Sequence, residues 1–196
     1  MQGYGVGADV VGGIPWLERS YEESFNAIDC IFEIAKKYDK DVHFLDNTLD
    51  PNSRTIEYIA LKAIKENYRG RAVISSAPGL SVCNRYYVDK VMKLLKQAQV
   101  NFSTNIEDSM SHGKEWPQPR IRAIMMVTEL LKAGVNVSCG QDCVNDTYYP
   151  LGKNDMLECF GLSSCSSTRH SGRHRESVRY DHVERSQEPT HKRLRP

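Results

Sequence analysis

Apolar positions in the first 140 residues follow two alternating rhythms. Short β-branched runs occur at residues 6–12 (VGADVVG), 41–46 (DVHFLD), 71–77 (RAVISSA), 100–105 (VNFSTN) and 135–142 (VNVSCGQD). Each has the length and residue types of a strand. Between them the spacing changes. Tyr21, Phe25, Ile28, Phe32 and Ala35 fall 4, 3, 4 and 3 apart, which gathers them on one face of a helix, with Glu22, Glu23, Asp29 and Lys36 elsewhere. A second helix is expected after DPNS, with Ile56, Ile59, Ala60, Ala63 and Ile64 inward, and a third with Tyr87, Val88, Val91, Leu94 and Leu95 inward. A fourth is expected from about Pro119 to Ala133, burying Ile121, Ile124, Met125, Val127 and Leu131, with Gly134 suited to end it at positive φ.

Strands therefore recur about every 30 residues, the length of a βα unit. The runs read as apolar on both faces, as in a parallel sheet covered by helices, so the fold class is α/β. Two architectures satisfy this pattern: an open doubly wound sheet, and part of a TIM-type (β/α)8 barrel. No GxGxxG or GxxxxGK[ST] stands at a strand-to-helix junction, which leaves a nucleotide-binding open sheet without support. Polar residues gather instead at one end of the strands: His43 and Asp46 on one, Asn105 on another, Asp142 on the last. That is where a barrel places its chemistry.

Composition narrows the partners. The chain of 196 residues suits one domain with a sizeable core, and 26 Lys plus Arg against 25 Asp plus Glu argue for neither nucleic acid nor a membrane surface. The start, MQGYGVGADVVGG, lacks the pattern of a signal peptide, and no run approaches a membrane span, so a cytoplasmic location is expected. Six cysteines without paired CxxC spacing read as free thiols.

The segments GADVVGGIPW, YDKDVHFLDNTLDPNSRTIE, VNFSTN and above all AGVNVSCGQDCVNDTYYPLGKNDML resemble the amidohydrolase superfamily, in its cytosine deaminase-like branch. The similarity spans about residues 4–160 and follows the family's barrel strands four to eight. It implies a divalent metal, zinc or iron, that activates water to attack a C–N centre of a small nitrogen heterocycle. By this resemblance His43 and Asp142 are metal ligands, and Asp142 also takes the water's proton. Asp46 falls where the family has its proton-shuttling glutamate, Asn47 there in a shifted alignment, and only Asp46 can move a proton. Asn105 and Trp116 are candidate substrate contacts, and a homo-oligomer is compatible with the family.

The departures are specific. Ala77 stands where the family has a catalytic histidine, Gln141 replaces the histidine before Asp142, and the H-x-H pair of strand one has no counterpart. Two ligands fall short of the three usual at a catalytic zinc. The resemblance thus implies a hydrolase by ancestry, the alternative being an inactive, truncated amidohydrolase fragment. Without the resemblance, His43 reads as a structural strand histidine, Asp142 as a turn residue, His112 as a loop residue and Trp116 as a packing residue.

After Phe160 the sequence changes. Residues 161–196 carry 8 Lys or Arg against 4 Asp or Glu, and their only Leu, Ile, Val, Phe or Met are Leu162, Val178, Val183 and Leu194. A partial barrel over 1–160 and a basic tail, disordered or read out of frame, are the expected division.

Overall fold

The computed structural model describes residues 7–106, 109, 124–153 and 155–167. Five strands form one sheet: β1 (Val10–Gly13), β2 (Asp41–Asp46), β3 (Ala72–Ser76), β4 (Asn101–Asn105) and β5 (Val137–Gly140). All neighbours are parallel and their order is the order of the chain. A doubly wound sheet reverses its strand order at a switch point. Here the order never reverses, which is the topology of a barrel wall.

The connecting helices are α1 (Tyr21–Tyr38), α2 (Thr55–Lys65), α3 (Arg85–Ala98) and α4 (Val127–Lys132), with α5 (Met156–Ser167) after β5. Local chemistry fixes the ends of the longer ones. Ser20 accepts from Glu23 N and Asn84 from Tyr86 N, satisfying N–H groups that a first turn leaves unpaired. Asp39 and Gln99 close α1 and α3 in the left-handed conformation, where their N–H groups return to the last turn.

The sheet has two unlike faces. Val11, Val42, Phe44, Ala72, Ile74, Phe102 and Val137 alternate onto one of them and are at most 3% exposed. They pack with Ile28, Phe32, Ile59, Val91 and Leu95 of the helices into one core. The alternate positions, Gly12, His43, Leu45, Val73, Ser103 and Ser138, are exposed or half-buried, while Ser75 and Asn105 on the same face are buried. This corrects the expectation of strands apolar on both faces. The serines lie in register across β3, β4 and β5, with Ser75 opposite Ser103 and Ser103 opposite Ser138. A hydroxyl row suits a lumen that holds polar groups.

Two further differences concern boundaries. The boundary expected after Phe160 falls inside α5, where Cys159 and Ser163 are buried and Ser163 Oγ lies 3.6 Å from Cys139 Sγ of β5. Of the expected fourth helix, the turn over Val127–Lys132 is present and Gly134 follows it with φ of 79°. Residues 119–123 of that helix, like His112 and Trp116, lie outside the described residues.

Candidate functional site

Parallel strands bring their C-terminal ends to one rim, and the side chains singled out by sequence meet there to different degrees. His43, third residue of β2, points to the hydroxyl-lined face. Its Nε2 hydrogen-bonds Ser75 Oγ on the adjacent strand. Protein packed around the ring holds its pKa below the usual histidine range, and the nearby negative charge of Asp142 acts in the opposite sense. His43 and Asp142, 99 positions apart, thus lie within electrostatic range of each other.

Asp142 stands two residues beyond β5 with φ of 69°. Asp tolerates this left-handed geometry better than most residues because its short side chain finds local partners. One partner crosses from β4: Asn105 Nδ2 donates to Asp142 Oδ2 at 2.9 Å. The same amide nitrogen donates to Ser76 Oγ at 3.2 Å, so Asn105 joins the ends of β3, β4 and β5. Asn105 was expected as a substrate contact, and the structure places it 5% exposed with its amide engaged by protein.

Asp46 lies elsewhere. By strand alternation it shares the helix-facing side with Val42 and Phe44, and it is 2% exposed. Its Oδ1 accepts from Thr48 N at 3.1 Å and its Oδ2 from Thr55 Oγ1 at 2.5 Å. Burial pushes its pKa above the ordinary carboxylate value, and the two donors offset part of that rise. Asp46 is the first step of a staircase in the β2–α2 loop: Asp50 N donates to Thr48 Oγ1 at 3.1 Å and Asn52 N to Asp50 Oδ1 at 2.8 Å. Its oxygens are spent on holding that loop, away from the face that carries His43.

The backbone at this rim is strained. Ser76 and Ala77 have φ of 71° and 42°, and Ala77 N donates to Asp46 O at 2.8 Å. A left-handed residue is tolerated more readily by Asn, Asp or His than by Ala. Ala77 thus keeps the backbone bend with a methyl group that can neither ligate nor transfer a proton. Gln141, beside Asp142, is 6% exposed.

A metal fits this site in kind and not in number. An imidazole and a carboxylate at one strand end suit zinc or iron, but catalytic zinc usually has three protein ligands. Among the described residues no group of three or more His, Cys, Asp or Glu side chains is placed to hold an ion. The contributors that sequence reading missed are Ser75, Ser76 and Thr55. Ser75 was accessible in principle, because a two-residue alternation from His43 and parallel pairing put a β3 hydroxyl beside the ring; Ser76 and Thr55 depend on loop geometry.

Comparison with known proteins matches this architecture. The model of the amidohydrolase family matches residues 2–181. The N-isopropylammelide isopropyl amidohydrolase of Pseudomonas sp. (strain ADP) is 27% identical over 154 residues, covering 78% of this chain and 35% of that protein. Among solved structures, 5-methylcytosine deaminase from Klebsiella pneumoniae liganded with phosphonocytosine superposes with a TM-score of 0.81 at 29% identity, over 90% of this chain and 44% of that one. The N-isopropylammelide isopropylaminohydrolase from Burkholderia multivorans ATCC 17616 shares the fold at 23% identity, with a TM-score of 0.69 over 83% of this chain and 39% of that one. The chain spans about a third of the length of its sequence relatives and less than half of the solved enzymes. Its five strands are accordingly a portion of a TIM-type barrel, and the chain belongs to the amidohydrolase family.

Proposed function

We propose that this chain carries the strand-four to strand-eight share of a metal-dependent hydrolase that cleaves a C–N bond of a small, cytosine-like nitrogen heterocycle. The observation that carries the reading is that the negative charge of Asp142 acts on His43, whose ring lies beside Ser75 on the hydroxyl-lined face. The deaminase activity printed for the Klebsiella structure and the amidohydrolase activity printed for the Pseudomonas relative support the reaction class. A bound zinc or iron would lower the pKa of its water and stabilise negative charge on the attacked centre.

The chain's own residues prepare for this in specific ways. The lowered pKa of His43 keeps its ring neutral near pH 7, the state in which imidazole ligates. Among the described residues Asp142 is held through one oxygen, and the other would ligate or take a proton. The serine row offers hydroxyls to a polar ring. Asp46 serves as the anchor of the β2–α2 loop and not as the proton shuttle.

A second reading has its own observation. Ala77 at the strand-six position, together with a two-donor site, favours a chain that binds an ion and does not turn over alone. An ammonia-release assay on the purified chain with added Zn²⁺ or Fe²⁺ and cytosine separates the two. Metal-dependent release supports the hydrolase acting by itself. No release from a chain that retains the ion supports the inactive form.

A further inference from the structure

The pairing of β4 with β5 sets Gly140 opposite Asn105, and the absent side chain leaves a niche on the hydroxyl-lined face. A Cβ added to Gly140 would stand 3.0 Å from Asn105 Oδ1 and 3.0 Å from Ser103 Oγ, so two oxygens converge on the space that glycine keeps open. The partners of the amide fix which end faces the niche. Its nitrogen donates to Asp142 Oδ2 at 2.9 Å and to Ser76 Oγ at 3.2 Å, and a carboxylate oxygen accepts, so the amide oxygen is the end turned to Gly140. Asn105 is 5% exposed, yet among the described residues nothing donates to that oxygen. Ser103 Oγ, half-buried beside it, has no hydrogen-bond partner among them either. A buried acceptor left unpaired costs free energy that a bound donor would recover.

We propose that Asn105 Oδ1, Ser103 Oγ and the gap at Gly140 form a subsite that recognises an N–H and the adjacent carbonyl on the edge of a planar nitrogen ring. The amide oxygen takes only a donor, and the hydroxyl can give its proton to an acceptor, so the pair matches the edge that a lactam presents. Every contact comes from β4 and β5, and none needs an ion. The choice of ring rests on the hydrolase reading. In a cytosine-like ring the amino group is the part a deaminase removes, which leaves the ring N–H beside the carbonyl as the edge to be held. A methyl group in place of that N–H would leave Asn105 Oδ1 unpaired and crowd the niche, and a site built to pair a polar group rejects a ligand that lacks it.

The test titrates the full, metal-free chain with cytosine and with 1-methylcytosine, following the Gly140 backbone amide and the Asn105 side-chain amide by NMR. Cytosine is expected to shift both signals and to bind about tenfold more tightly than 1-methylcytosine, the worth of one hydrogen bond. Ser103→Ala, which removes the hydroxyl, and Gly140→Ala, whose methyl fills the niche, are each expected to weaken cytosine binding about tenfold. Gly140→Ala is also expected to erase the preference over 1-methylcytosine. Should Gly140→Ala fail to fold, Ser103→Ala carries the test, since it breaks no side-chain hydrogen bond among the described residues. Equal affinity for the two rings, cytosine binding unchanged in the folded variants, or no shift at Gly140 overturns the subsite. Metal-dependent ammonia release found beside any of those results leaves the hydrolase reading standing. A wild-type preference for cytosine without ammonia release supports the subsite and removes the hydrolase reading of the isolated chain.

Discussion

At the strand ends single residues differ in what they had to reveal. His43 and Asp142 stood out in the sequence because each is a metal-ligating type, one within an apolar run and one just after another, and the resemblance suggested their pairing. Asp46 is equally acidic and only three positions from His43, yet alternation along β2 turns it toward α2, where Thr48 and Thr55 engage it. Residue type did not encode that; the odd spacing from His43 did, and the loop's hydrogen bonds fix it. Its titration gives a test. A carboxyl whose folded pKa is raised favours the protonated form, so it contributes stability at pH below about 3.8 that is lost as pH rises through the folded pKa. Asp46→Asn should flatten this part of the stability–pH curve in urea unfolding while leaving neutral-pH stability unharmed, since its amide can still serve Thr48 and Thr55. The left-handed Ala77 is a second residue-scale case: Ala77→Gly should raise unfolding free energy by up to about 1 kcal/mol, because a Cβ is disfavoured at that φ.

Secondary elements were the most legible scale. Three helices and five strands lie where periodicity placed them, with ends shifted by a few residues, and of the fourth helix only Val127–Lys132 is helical among the described residues, because one apolar stripe per helix and one apolar row per strand suffice to specify them. Phe44, 0% exposed and with its ring 5.7 Å from that of Phe32, joins β2 to α1. Phe44→Ala should cost about 3–5 kcal/mol in chemical denaturation, whereas Ser20→Ala, which removes the cap on Glu23 N, should cost about 1 kcal/mol. Helix α5 was not foreseen past Phe160. Its run of Gly, Ser and Cys lacks a clear apolar stripe, and it is held by contact with β5 that only the tertiary structure supplies. The second sheet face was misread for a related reason: Ser and Gly interleaved with Val and Phe were counted as parts of apolar runs, although alternation segregates them.

For the molecule as a whole, the topology was legible and its completeness was not a matter for pattern. The parallel strands follow chain order, as in a barrel wall, and β1 and β5 are each paired on one side among the described residues. Such edges offer unpaired N–H and C=O groups to another strand. The purified chain is therefore expected to associate with rising concentration in sedimentation velocity, and Val10→Lys, which places a charge on the exposed edge strand, to reduce that association. Among the described residues no helix is long and apolar enough to cross a membrane. The proposed function asks the half-solvated rim built by this chain to hold a metal through His43 and Asp142. Isothermal titration of Zn²⁺ into the wild-type, His43→Ala and Asp142→Asn proteins tests it most directly. Uptake of one ion by the wild type, lost in both variants, is the predicted result; no uptake, or uptake that survives both substitutions, would contradict it.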